Sequence, residues 1–312
     1  MIVALGEALI DLIQREDGLF EPRPGGGPAN TAIAIARLGF DVEFAGRISC
    51  DAFGGVIRHR LESNGVGLGL VALASQPTTL AIASLAADGS AAYSFYVEGT
   101  ADWQWTGLEL SLIEQAHPTA IHFGSLSAAI EPGASAIEAL LRRLSRDVLV
   151  SYDINVRPGL GSRVAAERER VERQVRLSGL IKASDDDLTW LYPDEKPEQV
   201  AARWARTGRY VVLTFGSAGA AVVLPQGEVL TIPAMPVELV DTIGAGDAFC
   251  GGLLVALGEA GFLHGSTRGL AALTIDDWTT ALNTAASVAA LTCGRRGAEP
   301  PTSSELASSK LH

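Results

Sequence analysis

Short apolar runs alternate with helix-period stretches along most of the chain. Ile2-Val3-Ala4-Leu5 reads as a buried strand, and runs at 42–46, 120–123, 148–153, 179–183 and 210–215 repeat it. Between and after them lie stretches of helical spacing closed by glycine and polar breakers: 29–38, about 51 to 65, 133–144, 165–177, 188–192, 199–206, 248–257 and about 276–291. Strand and helix in alternation predict an α/β fold on a mainly parallel, doubly wound sheet. One segment departs from the rhythm. Residues 78–87 and 92–97 flank Asp88-Gly89, a hairpin signal. Tyr93, Tyr96, Trp103 and Trp105 make this segment aromatic, which suits a lid, a dimer surface or an ordinary packed hairpin. Residues 237–240 read as one more β-like run, and the tail from Pro300 as frayed.

Composition narrows the function classes. With 312 residues, 47% of them apolar, the chain can bury a full core. A formal net charge of −12 repels nucleic acid and anionic membranes, so any phosphate site has to be local. Cys50, Cys250 and Cys293 are far apart and form no C-x-x-C, which fits a reducing cytoplasm. The N-terminus has no basic region before its apolar run, and no apolar run reaches the roughly 18 residues of a membrane span. The histidines lack metal-ligand spacing and there is no P-loop. Gly65-Val66-Gly67-Leu68-Gly69 lacks the last glycine of a dinucleotide fingerprint, which argues against an NAD-dependent dehydrogenase.

The candidate chemistry gathers at strand ends and Gly-rich turns. Asp241-Thr242-Ile243-Gly244-Ala245-Gly246-Asp247 hands over to a helix. Bare amides of Gly244, Ala245 and Gly246 at a helix N-terminus suit a phosphate, and Asp247 beside them suits a base for an attacking hydroxyl. A Gly-rich turn with a helix-capping aspartate fits the same residues. Asp11 falls just past the first strand, where ligands of open α/β sheets bind, or in a turn. Gly25-Gly26-Gly27-Pro28-Ala29-Asn30 lets backbone approach a ligand and opens a helix with Asn30 in its first turn. Asp153, Asn155 and Arg157 share a face if the chain stays extended, and Arg157 can steady a phosphoryl group. Ser184-Asp185-Asp186-Asp187 offers a carboxylate to magnesium, or a capping box for the next helix. Gly216 and Gly219 follow the strand at 210–215 and let backbone pass close to nucleotide phosphates.

Four motifs in this order, Gly6-Glu7-Ala8-Leu9-Ile10-Asp11, Gly25 to Asn30, Asp153-x-Asn155-x-Arg157 and Asp241 to Asp247, resemble the ribokinase-like, PfkB-type carbohydrate kinases, most closely the bacterial fructokinases. The resemblance spans Ile2 to about Pro301. It implies a three-layer α/β/α sandwich with a small β lid at about 12–23 and 91–106. It implies Asp247 as catalytic base, Gly244, Ala245 and Gly246 as the anion hole, and Arg157 near the phosphates. Asp11, Gly26, Gly27, Asn30 and Asn155 would meet the sugar; Thr214, Gly216 and Gly219 the nucleotide; and Asn283 its adenine. Many members have Asn-x-x-Glu where this chain has Ser184-x-x-Asp187, so Asp187 is expected to reach Mg2+ through water. Asp241 and the Ile243 carbonyl match a monovalent-cation position, although Pro301 stands where some members have a small helper. The expected activity is transfer of ATP's γ-phosphate to a sugar hydroxyl, with fructose giving fructose 6-phosphate. Kinases for 2-keto-3-deoxygluconate, ribose or a nucleoside, and a catalytically silent sugar sensor, are the alternatives. A cytoplasmic protein with small-molecule partners is expected, able to dimerise through the lid.

Overall fold

The computed structural model describes residues 1–15, 17–85 and 91–309, so the Asp88-Gly89 turn lies outside the described residues. An eight-stranded sheet runs in the spatial order Val229–Ile232, Ala220–Val223, Tyr210–Thr214, Leu180–Ser184, Leu149–Asp153, Ala120–Gly124, Ile2–Leu5 and Val42–Ala45. All its pairings are parallel except the two made by Ala220–Val223. Side chains of successive strand residues point to opposite faces, and the core divides accordingly. Ile2 and Ala4 join one apolar cluster, Val3 and Leu5 the other. Helices Gly27–Arg37, Ala245–Glu259 and Ile275–Cys293 cover the first face through Ile33, Leu253 and Trp278. Helices Gly133–Leu144, Val164–Leu177 and Pro197–Ala205 cover the second through Ile137, Val171 and Val200. With both faces buried, the strands need no polar alternation, which is why they read as unbroken apolar runs. The result is the expected three-layer α/β/α sandwich. Among the described residues no helix is long and apolar enough to cross a membrane.

A second sheet of four strands, Phe20–Gly25, Leu9–Gln14, Leu80–Leu85 and Ala91–Tyr96, stands over the carboxyl ends of the main sheet. Asp11 therefore lies within a strand, paired with Arg23, and not in a turn beyond the first strand. Residues 97–106 do not belong to this sheet. They form a turn whose Trp103 is buried, packing with Leu9, Ala81 and Leu126 while its Nε1 donates to the Val97 carbonyl at 2.9 Å.

Two other expectations change. Residues 237–240 form no strand: Pro233 and Pro236 supply no N–H, and the amides of Val240 and Asp241 both donate to the Cys293 carbonyl. The tail is not frayed over Ser303–Ser309, which is helical. Thr302 and Glu305 cap it reciprocally, and Leu306 buries itself in the core.

Candidate active site

The Ala245–Glu259 helix begins at the carboxyl end of the sheet. Gly244 is its N-cap in a left-handed conformation, φ 75°, which glycine adopts without strain. The amides of Gly244 and Gly246 meet no protein acceptor among the described residues. The Ala245 amide does, donating to the Thr242 carbonyl at 3.2 Å, so the expected trio of bare amides is reduced by one. Gly246 leaves room for a cation: a Cβ there would stand 3.0 Å from Lys182 Nζ. Lys182 is a buried lysine in a central strand, held by Asp153 at 3.1 Å. Burial is the largest single influence and works against its ammonium, but the neighbouring acidic groups, Asp153 first and then Cys250 and Asp187, together outweigh it and raise its pKa.

Asp247 lies in the first turn of that helix, 8% exposed. Asn30, in the first turn of Gly27–Arg37, donates from Nδ2 to Asp247 Oδ2 at 2.9 Å. Oδ1 faces Gly27, where an added Cβ would sit 3.4 Å away. Burial pushes the Asp247 carboxyl up to about 7. The Asn30 hydrogen bond, Arg157 and Lys182 restrain the rise, and the Asp153 charge adds to it.

Glu7, fully buried, holds the opposite wall. Its two oxygens accept from the Gly27 amide at 3.2 Å and the Ser127 amide at 2.9 Å. Gly26 has φ 111°, and a Cβ there would meet the Glu7 carbonyl at 2.5 Å, so only glycine fits. These walls, the inner face of the small sheet and the Arg296–Glu299 loop enclose a cavity of about 960 Å³. Asp11, Gly26, Gly27, Asn30, Asn155, Arg157, Ile243, Gly244, Gly246 and Asp247 all line it. A carboxylate that accepts protons near neutrality, unpaired amides and several cations, Arg157 and Lys182 among them, around one void can hold an anion beside a hydroxyl and take that hydroxyl's proton.

Residues 1–305 match the pfkB family of carbohydrate kinases. The chain belongs to that family. As a carbohydrate kinase it transfers a phosphoryl group to an alcohol acceptor. It is 36% identical to a fructokinase of Rhizobium leguminosarum bv. trifolii over 262 residues, 82% of this chain and 79% of the relative. It superposes with TM-score 0.87 on a fructokinase of Xylella fastidiosa with bound ATP, 27% identical, across 98% of this chain and 97% of that one. A fructokinase of Vibrio cholerae O395 in a fructose-, ADP- and calcium-bound form superposes with TM-score 0.82, 28% identical, across 98% and 97%.

Within this carbohydrate kinase some expected residues lie elsewhere. Asp153, Asn155 and Arg157 do not share an extended face, because the strand ends at Asp153 and Asn155 is left-handed with φ 42°. Arg157 Nη1 donates to Asn155 Oδ1 instead, and the pair reaches the cavity from the loop. Asp187 does not line the cavity. Its oxygens accept from the Val156 amide at 2.8 Å and the Ser184 amide at 2.9 Å, so it fixes that loop and closes a capping box. Asp241 is likewise outside, accepting from the amides of Ile243 and Gly297. Thr214, Gly216, Gly219 and Asn283 lie beyond the cavity, the first three where the Tyr210–Thr214 strand turns back into Ala220–Val223.

Lys182, Glu7 and Arg23 line the cavity without having been singled out. A lysine inside the apolar run Leu180-Ile181-Lys182-Ala183 and a glutamate two residues past a buried strand were the available signals, since neither is buried without a partner.

Proposed function

We propose that this PfkB kinase phosphorylates D-fructose on its 6-hydroxyl with ATP as donor. The observation that carries the reading is Asp247, buried, held on one oxygen by Asn30 and free on the other, beside the amides of Gly244 and Gly246. The likeness to fructokinases, among them structures with ATP and with fructose and ADP, supports the substrate pair. Asp11, Asn30, Asn155 and the Gly26-Gly27 backbone are the polar groups we assign to the sugar. Asp247 Oδ1 takes the proton of the sugar's 6-hydroxyl while the sugar oxygen bonds the γ-phosphorus. The bond from phosphorus to the bridging oxygen breaks, and ADP leaves. Charge on the transferring group meets Gly244, Gly246, Arg157 and Lys182. Base catalysis of this kind is worth roughly 10²- to 10⁴-fold.

Among the described residues no group of three or more histidine, cysteine or carboxylate side chains could hold a metal. That fits Mg2+ carried mainly by the nucleotide's own phosphates and water, which neutralises charge on them when bound. Asp187, already engaged by two amides, could reach it only through water. Asp241 and the Ile243 carbonyl offer oxygens to a K+ ion, but Asp241 is braced by amides without one. Thr214, Gly216, Gly219 and Asn283 are assigned to the nucleotide beyond the cavity. The small sheet acts as the lid, and its exposed Phe20 and Tyr96 support a dimer through that sheet.

The test is ATP–Mg2+ turnover across fructose, glucose, ribose, 2-keto-3-deoxygluconate and adenosine. Fructose should give the highest kcat/KM. A higher value for any other acceptor contradicts the assignment, and no turnover with any of them favours a sensor.

A further inference from the structure

The cradle of amides is not self-supporting. Gly244 adopts its left-handed turn against the C-terminal loop: a Cβ built on Gly244 would stand 2.4 Å from the Ala298 Cβ. Just before it, Asp241 ties the same two segments together, accepting from the Ile243 amide at 3.0 Å and the Gly297 amide at 2.8 Å. What fixes the loop itself is Arg60, on the Ala52–Ser63 helix. Its Nη1 donates to Glu299 Oε1 at 2.7 Å and its Nη2 to the Ala298 carbonyl at 2.8 Å. Arg37 adds a second cation to Glu299 at 3.5 Å, and beyond the loop Leu306 is buried in the core.

We infer that Arg60 is a positioning residue for phosphoryl transfer, acting through Ala298 on Gly244. This rests on the reading of Gly244 and Gly246 as the cradle for the transferring phosphoryl group. The guanidinium suits the task because its planar fork engages a carboxylate and a carbonyl at once, fixing the loop in two directions. A lysine ammonium can satisfy one of these acceptors well but not hold both in that geometry. The loop has no regular structure from 296 to 302, so no backbone ladder replaces the clamp. If the clamp is lost, Ala298 can retreat from Gly244 and the amides lose the alignment that catalysis needs. Misplacement by about 1 Å at such a centre costs on the order of 10²-fold. Arg60 itself lines the cavity, but both of its Nη atoms are taken by Glu299 and Ala298; with the sugar assigned to Asp11, Asn30 and Asn155, binding of fructose alone should be untouched.

The experiment compares kcat with ATP–Mg2+ and fructose, and the dissociation constant of fructose alone, in Arg60→Met, Arg60→Lys and Glu299→Gln. Arg143→Ala, which removes an exposed pair with Glu114 and a bond to the Ala139 carbonyl, both away from the cavity, is the control. We expect Arg60→Met to lower kcat roughly 10- to 100-fold with the fructose constant within about twofold. Arg60→Lys should recover part of the loss, and Glu299→Gln should lose less than Arg60→Met. If Arg60→Met does not fold, Glu299→Gln decides, and kcat equal to wild type overturns the inference. It is overturned equally if Arg60→Met keeps kcat within about threefold, or weakens fructose binding as much as turnover, which would make Arg60 a sugar contact. Wild-type turnover of fructose tests the kinase reading separately, since the clamp is judged only from the ratio of variant to wild type.

Discussion

At the scale of single residues, the chemistry is set by what burial does to a carboxyl group and what its neighbours undo. Desolvation lifts Asp247 to about 7, and the Asn30 hydrogen bond is the strongest opposing influence. The base is ionised only above that value, so kcat/KM for fructose should rise with pH through about 7. Asn30→Ala removes the restraint and should move that limb to higher pH, whereas an unchanged limb would detach the titration from Asp247. The sequence showed Asp247 and Asn30 because each follows glycines at a helix start, a pattern that local spacing can carry. It did not show Lys182, whose place under Gly246 depends on two strands and a helix brought together from 153, 182 and 246. Asp187 was legible in part for the complementary reason: its capping-box spacing was visible, but that both oxygens would be used on amides was not.

Helices and strands hold those residues in register. The Ala245–Glu259 helix packs between two others at Gly251 and Gly252. A Cβ on Gly251 would meet the Ala34 Cβ at 2.5 Å, and one on Gly252 would meet the Ala285 Cα at 3.0 Å. Close packing thus explains two glycines that helix propensity disfavours. Gly251→Val should destabilise by about 1–3 kcal/mol, seen as a lower urea midpoint, while a midpoint equal to wild type would refute the tight contact. Elements bounded by breakers were legible, the Gly133–Leu144 helix to the residue. The antiparallel edge of Ala220–Val223 and Val229–Ile232 was missed. Its first strand opens on two alanines, which strand propensity disfavours, and its second is a four-residue edge, exposed at Val229 and Thr231, that gives no unbroken apolar run. The Ser303–Ser309 helix was hidden by its serines, although Thr302-x-x-Glu305 was the available signal.

At the scale of the whole molecule, a three-layer α/β/α sandwich carries the small four-stranded sheet on a few crossings. One buried carboxylate, Asp102, gathers them: it accepts from the Ala8 amide at 3.0 Å and from the Thr79 hydroxyl at 2.5 Å. Burial lifts Asp102 to about 7 and Asp11 to about 6. Each of these groups, with Asp247, binds a proton more readily folded than unfolded. Their contribution is complete below the ordinary carboxylate value and is lost as pH rises through 6 to 7. The melting temperature should therefore be higher near pH 5.5 than at pH 8, and Asp102→Asn should flatten that dependence; a wild-type protein more stable at pH 8 would contradict it. Trp103 packs under the same sheet, so fructose should change its emission, and a Trp103→Phe variant should abolish that change. No change in wild type would count against closure of the sheet over the sugar. The claim on which all of this depends is that Asp247 removes the sugar's proton, and it is tested by kcat and the fructose dissociation constant of Asp247→Asn. The account predicts kcat lower by roughly 10²- to 10⁴-fold with fructose still bound near wild-type affinity. Turnover within about tenfold of wild type would contradict it.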